Sequence, residues 1–314
     1  MRSAPLAAPT GVEPSATATR RGILLVVVAW FLLACMDAGS KKLAQDYAVV
    51  QILWVRYLFL LGFAWWLARR QGEPRPYRSR RPILQTVRST VLVVEIGLFI
   101  VGITVLTLAE AHAILAITPL LVTAFSVPLL GERVGVRRWS AIAVAFAGVL
   151  IILRPGLGVL QPMSIVPLIC AVMFALYQVM TRMVGRDDPP PVTLFWTAAV
   201  GAVALSVIGP FFWTWPDATG WALLLLVAVL GAAGHLLLIG ALEAAPASTL
   251  QPFSYSILVF ATAIGFVVFG NLPDLWTVIG AAVVVACGLY TYARERMLEA
   301  RTRPPAGPSS SPRT

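Results

Sequence analysis

Residues 109–156 read AEAHAILAITPLLVTAFSVPLLGERVGVRRWSAIAVAFAGVLIILRPG. The stretch is an apolar helix containing Pro119 and Pro128, a short charged turn, and a second helix rich in small residues. The plan returns at residues 247–294, ASTLQPFSYSILVFATAIGFVVFGNLPDLWTVIGAAVVVACGLYTYAR. Each copy closes its first helix with Gly and a polar residue (Gly131-Glu132, Gly270-Asn271), then resumes at a Trp (Trp139, Trp276). A repeat of this kind decides architecture, because it divides the chain into two halves, each ending in the same two-helix unit.

Working outward, the composition has mean hydropathy +0.83, with 59% apolar and 12% charged residues. Soluble domains carry roughly 25% charged residues. Apolar runs long enough to cross a hydrocarbon core of about 30 Å recur at roughly 22–40, 49–69, 82–103, 108–130, 138–154, 163–182, 192–213, 219–240, 247–269 and 275–293. These runs lack the alternation of a barrel strand, which leaves helices as the spanning structure. The net charge of +10 does not point to nucleic acid. Apart from Arg56 and Arg88 inside the spans, every Lys and Arg except Lys41, Lys42 and Arg154 falls on one side of a ten-crossing topology. By the positive-inside rule that side is the cytoplasm, and both termini lie there. Cys35, Cys170 and Cys287 are isolated, with no CxxC, so neither a disulfide framework nor a metal site is implied.

The expected division is a disordered cytoplasmic tail at 1–21, five-helix repeats at 22–156 and 157–295, and a second disordered tail at 296–314. Five crossings per repeat is the informative number. A unit with an odd number of crossings, duplicated, inserts the second time upside down, giving an inverted repeat about an axis in the membrane plane. The first and sixth spans align through Asp37/Lys41 and Gln178/Arg182, the second and seventh through Trp54 and Trp196.

In these features the chain resembles the drug/metabolite transporter superfamily, of the ten-helix EamA type, from about residue 22 to 294. The residues that carry the resemblance are Ala109-Glu110-Ala111, Pro119, Leu130-Gly131-Glu132, Trp139 and Gly148, echoed by Pro252, Gly270, Trp276, Gly280 and Gly288. One departure stands out: Asn271 occupies a position where that type usually carries Glu. The resemblance implies secondary transport of small organic solutes, often export, through a central cavity between the halves.

Ionisable residues inside the spans point most directly to a site, since each costs about 2.5–3.5 kcal/mol at a helix centre on insertion scales. They are Asp37, Arg56, Arg88 and Glu95. Arg88 and Glu95 are seven apart, on one face two turns apart. One reading pairs the charges structurally: Asp37 with Lys41 or Arg56, and Glu95 with Arg88 or a neighbour. The other has Arg56 or Arg88 hold a carboxylate, for which a guanidinium is geometrically suited, with Glu95 or Asp37 coupling transport to protons. His235, one turn after Gly231, is either a packing histidine or a cavity residue; His112, beside Glu110, reads as structural. Tyr177, Gln178, Trp196 and Tyr255 offer polar-tipped surface in the second half, and Pro252 frees backbone carbonyls beside Tyr255. Trp54 and Arg56 lie about 200° apart on a helix, which favours Arg56 for the cavity and leaves Trp54 to the interfacial belt.

The sequence therefore specifies an all-α bacterial inner-membrane carrier in contact with lipid, without cofactor or metal, as monomer or homodimer. It would move an amino acid or related amphipathic carboxylate, by export. Within the same family, import or exchange of a vitamin or nucleoside-like metabolite, such as riboflavin or an adenosyl compound, is the alternative. An intramembrane enzyme is disfavoured: GxSxG is absent, and the adjacent acidic pair Asp187-Asp188 sits in a loop.

Overall fold

The structure, a computed structural model, describes residues 16–131, 135–154, 162–245 and 247–302. The first half contains α1 (Ala16–Leu43), α2 (Val49–Arg70), α3 (Pro82–Val105), α4 (Leu108–Leu115), α5 (Thr118–Leu130) and α6 (Val136–Leu153). The second contains α7 (Val166–Val184), α8 (Pro190–Ile208), α9 (Ala218–Ala244), α10 (Ala247–Leu250), α11 (Ser256–Phe269) and α12 (Leu275–Thr302). No strand occurs among the described residues. Nine stretches there are long and apolar enough to cross a membrane, and Trp139–Leu153 is apolar but shorter. Together they make ten helices in two repeats. Helix α1 starts at Ala16 and α12 runs to Thr302, so part of each expected tail is helical. Residues 1–15, 303–314 and Glu132 lie outside the described residues.

The fourth span is not the single helix its sequence suggests. Proline lacks an N–H and clashes with the preceding turn. Pro119 therefore stands in the first turn of a new helix, and the chain breaks at Ala116–Ile117. Thr118 Oγ1 donates to Leu115 O at 2.6 Å across the break. The second half repeats the device with α10, a 3₁₀ turn at Gln251–Tyr255 containing Pro252, and α11. Both broken helices end on glycine in the left-handed region, Gly131 at φ 72° and Gly270 at φ 70°. A residue with a Cβ is disfavoured there, and this explains the Gly seen in each copy.

Helix packing carries the two-fold relation. Helix α1 packs along α9 and α7 along α3; α1 also touches α11, and α7 touches α5. Exchanging the halves turns each contact into the other, while α2–α8 and α6–α12 map onto themselves. Two bundles result, each drawn from both halves: α1, α2, α9 and α11 in one, and α3, α4, α5, α7 and α8 in the other. They meet along α2–α8 and along α4–α11. The pair α6–α12 packs at the side, with Gly148 against Gly280: a Cβ on Gly280 would lie 2.6 Å from the Gly148 carbonyl oxygen. The small residues of these two helices serve close packing.

Candidate functional site

The polar groups of the spans and their ends fall into three sets. The first is tied up internally. Arg88 on α3 is fully buried. Its Nη1 donates to Thr181 Oγ1 (3.0 Å), and its Nη2 lies within reach of Thr197 Oγ1 (2.6 Å), Thr193 O (2.9 Å) and Gln85 Oε1 (3.0 Å). The Tyr177 ring covers it at 5.0 Å and stacks on Phe174. These contacts engage both terminal nitrogens and leave the buried Nε without a partner. In this conformation Arg88 fastens α3 to α7 and α8, and it does not pair with Glu95.

That network runs on to the end where the basic loops cluster. Gln85 Nε2 donates to Thr193 Oγ1 and to Asp188 Oδ2, and Asp188 also accepts from the Arg80 N–H and the Ser79 hydroxyl. Beside it Arg81 pairs with Asp187. The opposite end carries the two-fold counterpart. Gln51 exchanges two hydrogen bonds with the Thr214 backbone, and Tyr47 donates to Asp217. Trp54 lies there, its Nε1 donating to Ser206, in a cavity of about 470 Å³ walled by Trp213, Trp215 and Trp221.

The second set is unsatisfied. Among the described residues Arg56 on α2 donates no hydrogen bond and joins no ion pair, and the Glu95 carboxylate on α3 accepts no hydrogen bond. Arg56 lies against α9, where a Cβ on Gly231 would sit 3.5 Å from its Nε. One turn on, His235 Nδ1 meets Gly231 O at 2.7 Å, so this nitrogen carries the proton in neutral imidazole and Nε2 is left an acceptor. His235 is exposed on α9. The Arg56 charge is an electrostatic neighbour of both His235 and Glu95. Arg56 is thus the charge that acts on one group from each bundle, His235 of α9 and Glu95 of α3. The seam beside it is close, because Gly201 on α8 leaves room for the buried Tyr57 ring.

Of the remaining sequence candidates, Gln178 is half-buried on α7. Trp196 on α8 holds its indole N–H buried without a hydrogen-bond partner. Tyr255 stands apart, its hydroxyl lying over Gly288 of α12.

The third set joins the bundles. Asp37 Oδ2 on α1 is 3.1 Å from His112 Nε2 on α4, and Lys41 Nζ donates to Leu106 O at 2.6 Å. Asp37 therefore pairs with neither of the partners expected from the sequence, and meets instead His112, which the sequence marks as structural without naming its partner. Seventy-five positions separate the pair. Linear spacing carries no trace of such a contact.

Two bundles of swapped parentage carry these charged groups, and similarity to known proteins identifies the family. The EamA-like transporter family matches residues 20–154 and again 162–292. The chain belongs to that family. An S-adenosylmethionine uptake transporter of Rickettsia felis is 25% identical over 289 residues, 88% of this chain and 96% of the relative. A riboflavin transporter of Rhizobium johnstonii is 26% identical over 295 residues, 92% and 95% of the two chains. A pseudopaline exporter of Pseudomonas aeruginosa is 26% identical over 271 residues, 85% and 95%. A solved crystal structure shares the fold with TM-score 0.61 and 19% identity, covering 90% of this chain and 99% of its own. This EamA-type protein is a multi-pass membrane transporter of a small molecule, and its family indicates transport and not catalysis.

Proposed function

We propose that the protein exports a small amphipathic carboxylate, an amino acid or a close derivative, across the bacterial cytoplasmic membrane, with Arg56 holding the carboxylate. The basic loops then face the cytoplasm and both termini lie inside. The observation that carries this reading is the difference between the two intramembrane arginines: Arg88 is spent on four protein partners, whereas Arg56 is unpaired beside His235 and Glu95. An unpaired guanidinium at membrane depth is costly, and a bidentate carboxylate offsets that cost. His235 Nε2 accepts from the ligand's ammonium or ring N–H. Tyr177, Gln178 and Trp196 supply wall and donors from the facing bundle, and Tyr255 supports the wall from behind.

A second reading, of an adenosyl or flavin-like substrate moving inward, is favoured by the names of two relatives. S-adenosylmethionine joins an amino-acid head to an adenine ring, so it satisfies the Arg56 requirement as well. Counterflow in proteoliposomes separates the readings, using radiolabelled aromatic amino acids, S-adenosylmethionine and riboflavin. Arg56→Gln is expected to lower counterflow of a carboxylate substrate about 10–100-fold, the worth of a hydrogen-bonded charge. Arg56→Lys, which keeps charge and loses the fork, falls between. Unchanged exchange in Arg56→Gln, or equal exchange of the carboxamide analogue, refutes the assignment.

A further inference from the structure

The Asp37–His112 contact brings two buried ionisable side chains together across the two bundles. The network around Arg88 ties together helices that already pack along their length, and Gln51 ties α2 to the Thr214 backbone. Asp37 and His112 instead join α1 of one bundle to α4 of the other, at the end opposite the basic loops. Both side chains are about nine-tenths buried. Phe99 covers the imidazole, ring centroids 5.3 Å apart. Beside the pair, Lys41 crosses the same divide to the Leu106 carbonyl under the Phe269 ring, 5.2 Å away. Glu110 is not a competitor for His112, since its carboxylate is engaged by the Thr107 N–H and hydroxyl in a capping box.

We propose that Asp37 and His112 together form the proton site of the carrier, and that a proton bound there latches the outer side shut. The inference rests on the transport reading above. The charged and titratable groups around the pair are Lys41 on α1, Arg56 on α2, Glu95 on α3, Glu110 on α4 and Cys170 on α7; α11 contributes Ala261 and Phe269. Imidazole in its usual setting changes charge within the physiological range. With the proton on His112, the contact is a buried imidazolium–carboxylate pair, strong in a low-dielectric setting and costly to separate. Without it, a neutral imidazole faces the carboxylate, the ionic part of the attraction is gone, and the bundles part at that end. Glu95 is the proton's next station inward in this proposal. Glu95 lies one turn from Phe99 on α3, its carboxylate accepts no hydrogen bond among the described residues, and the Asp37 charge reaches it. A proton taken from outside by the open pair closes the latch and stays on the pair while the inner side opens; only then does it pass to Glu95. From there it leaves through the cavity.

The test needs no substrate. Spin labels are placed at the exposed far-end positions Asp46 and Val105, in a full-length background lacking Cys35, Cys170 and Cys287, and the protein is reconstituted in lipid nanodiscs. Distances are measured at about pH 5.5 and about pH 8.5, a span wide enough for a histidine to change charge. The wild type is expected to gain a longer-distance population at the higher pH, by at least about threefold. His112→Gln keeps a donor that cannot titrate, and Asp37→Asn keeps a polar partner without charge. Each is expected to give one distribution at both pH values. A wild-type pH response persisting in either variant, or none in the wild type, overturns the proposal. Counterflow of the radiolabelled compounds is measured in parallel. Exchange that survives in His112→Gln while accumulation driven by a pH gradient disappears is the expected signature, and loss of Arg56-dependent exchange would bear on the substrate reading alone.

Discussion

Asp188 shows how a single side chain outside the spans makes stability depend on pH. Burial works against its charge. That effect is outweighed by the Arg80 N–H, the Ser79 hydroxyl, the Gln85 amide and the Arg80 charge, which hold the carboxyl below its ordinary value of 3.8. A depressed folded pKa contributes stability that is complete above the unfolded value and is lost as pH falls through the folded one. Thermal unfolding in detergent should therefore show an acid-side loss below about pH 4 that Asp188→Asn lacks. The variant should be less stable at neutral pH, by about 1–3 kcal/mol for the charge-assisted bonds removed. An acid limb identical in both proteins would place the depressed carboxyl elsewhere. At this scale the sequence was least informative. It marks Arg56 and Arg88 as two equal intramembrane arginines, and no spacing rule distinguishes the one that meets Thr181, Thr193 and Thr197 from the one left open. Partners on other helices decide that, and they lie 93 to 109 positions away.

Among the elements, helix identity and helix endings were legible because their causes are local. The left-handed glycines Gly131 and Gly270 close the broken helices of the two repeats, and both stand in the sequence as Gly followed by a polar residue. The break at Ala116–Ile117 was hidden. A proline predicts a disturbance, but whether the helix kinks or restarts depends on what donates to the freed carbonyls, here the Thr118 hydroxyl to Leu115 O. The α6–α12 pair gives a test at this level. A Cβ on Gly280 would sit 2.6 Å from Gly148 O and 2.5 Å from Ile152 Cγ1, both inside contact distance. Gly280→Val should destabilise by about 1–3 kcal/mol through overpacking, read as a lowered midpoint in detergent. Since the pair lies beside the bundles and not between them, counterflow per folded molecule should stay near wild type. Lost exchange in well-folded Gly280→Val would mean that α6 and α12 take part in the transport motion.

In the whole molecule, the topology follows from counting. Ten apolar runs in two like halves of five force the second half to be threaded oppositely. The contacts of α1 with α9 and of α3 with α7 then appear as one contact made twice. The count does not tell which helices move together; only the packing shows that each bundle takes members from both halves. This grouping makes a prediction about motion. A disulfide between helices of one bundle leaves rigid-body rocking free, whereas one across the seam prevents it. For the seam, a Cβ on Gly265 of α11 would lie 4.0 Å from the Leu108 Cβ of α4, within the span of about 3.5–4.5 Å that a disulfide accepts. For the control, a Cβ on Gly39 of α1 would touch the Val227 side chain of α9. Oxidised Leu108→Cys/Gly265→Cys should lose counterflow and regain it on reduction, while oxidised Gly39→Cys/Val227→Cys should retain most of its exchange. Reduction separates arrest from misfolding, because a damaged fold does not recover with dithiothreitol. Equal arrest by both cross-links would show that α1 and α9 slide past each other, and the helices that move as one body would then have to be regrouped.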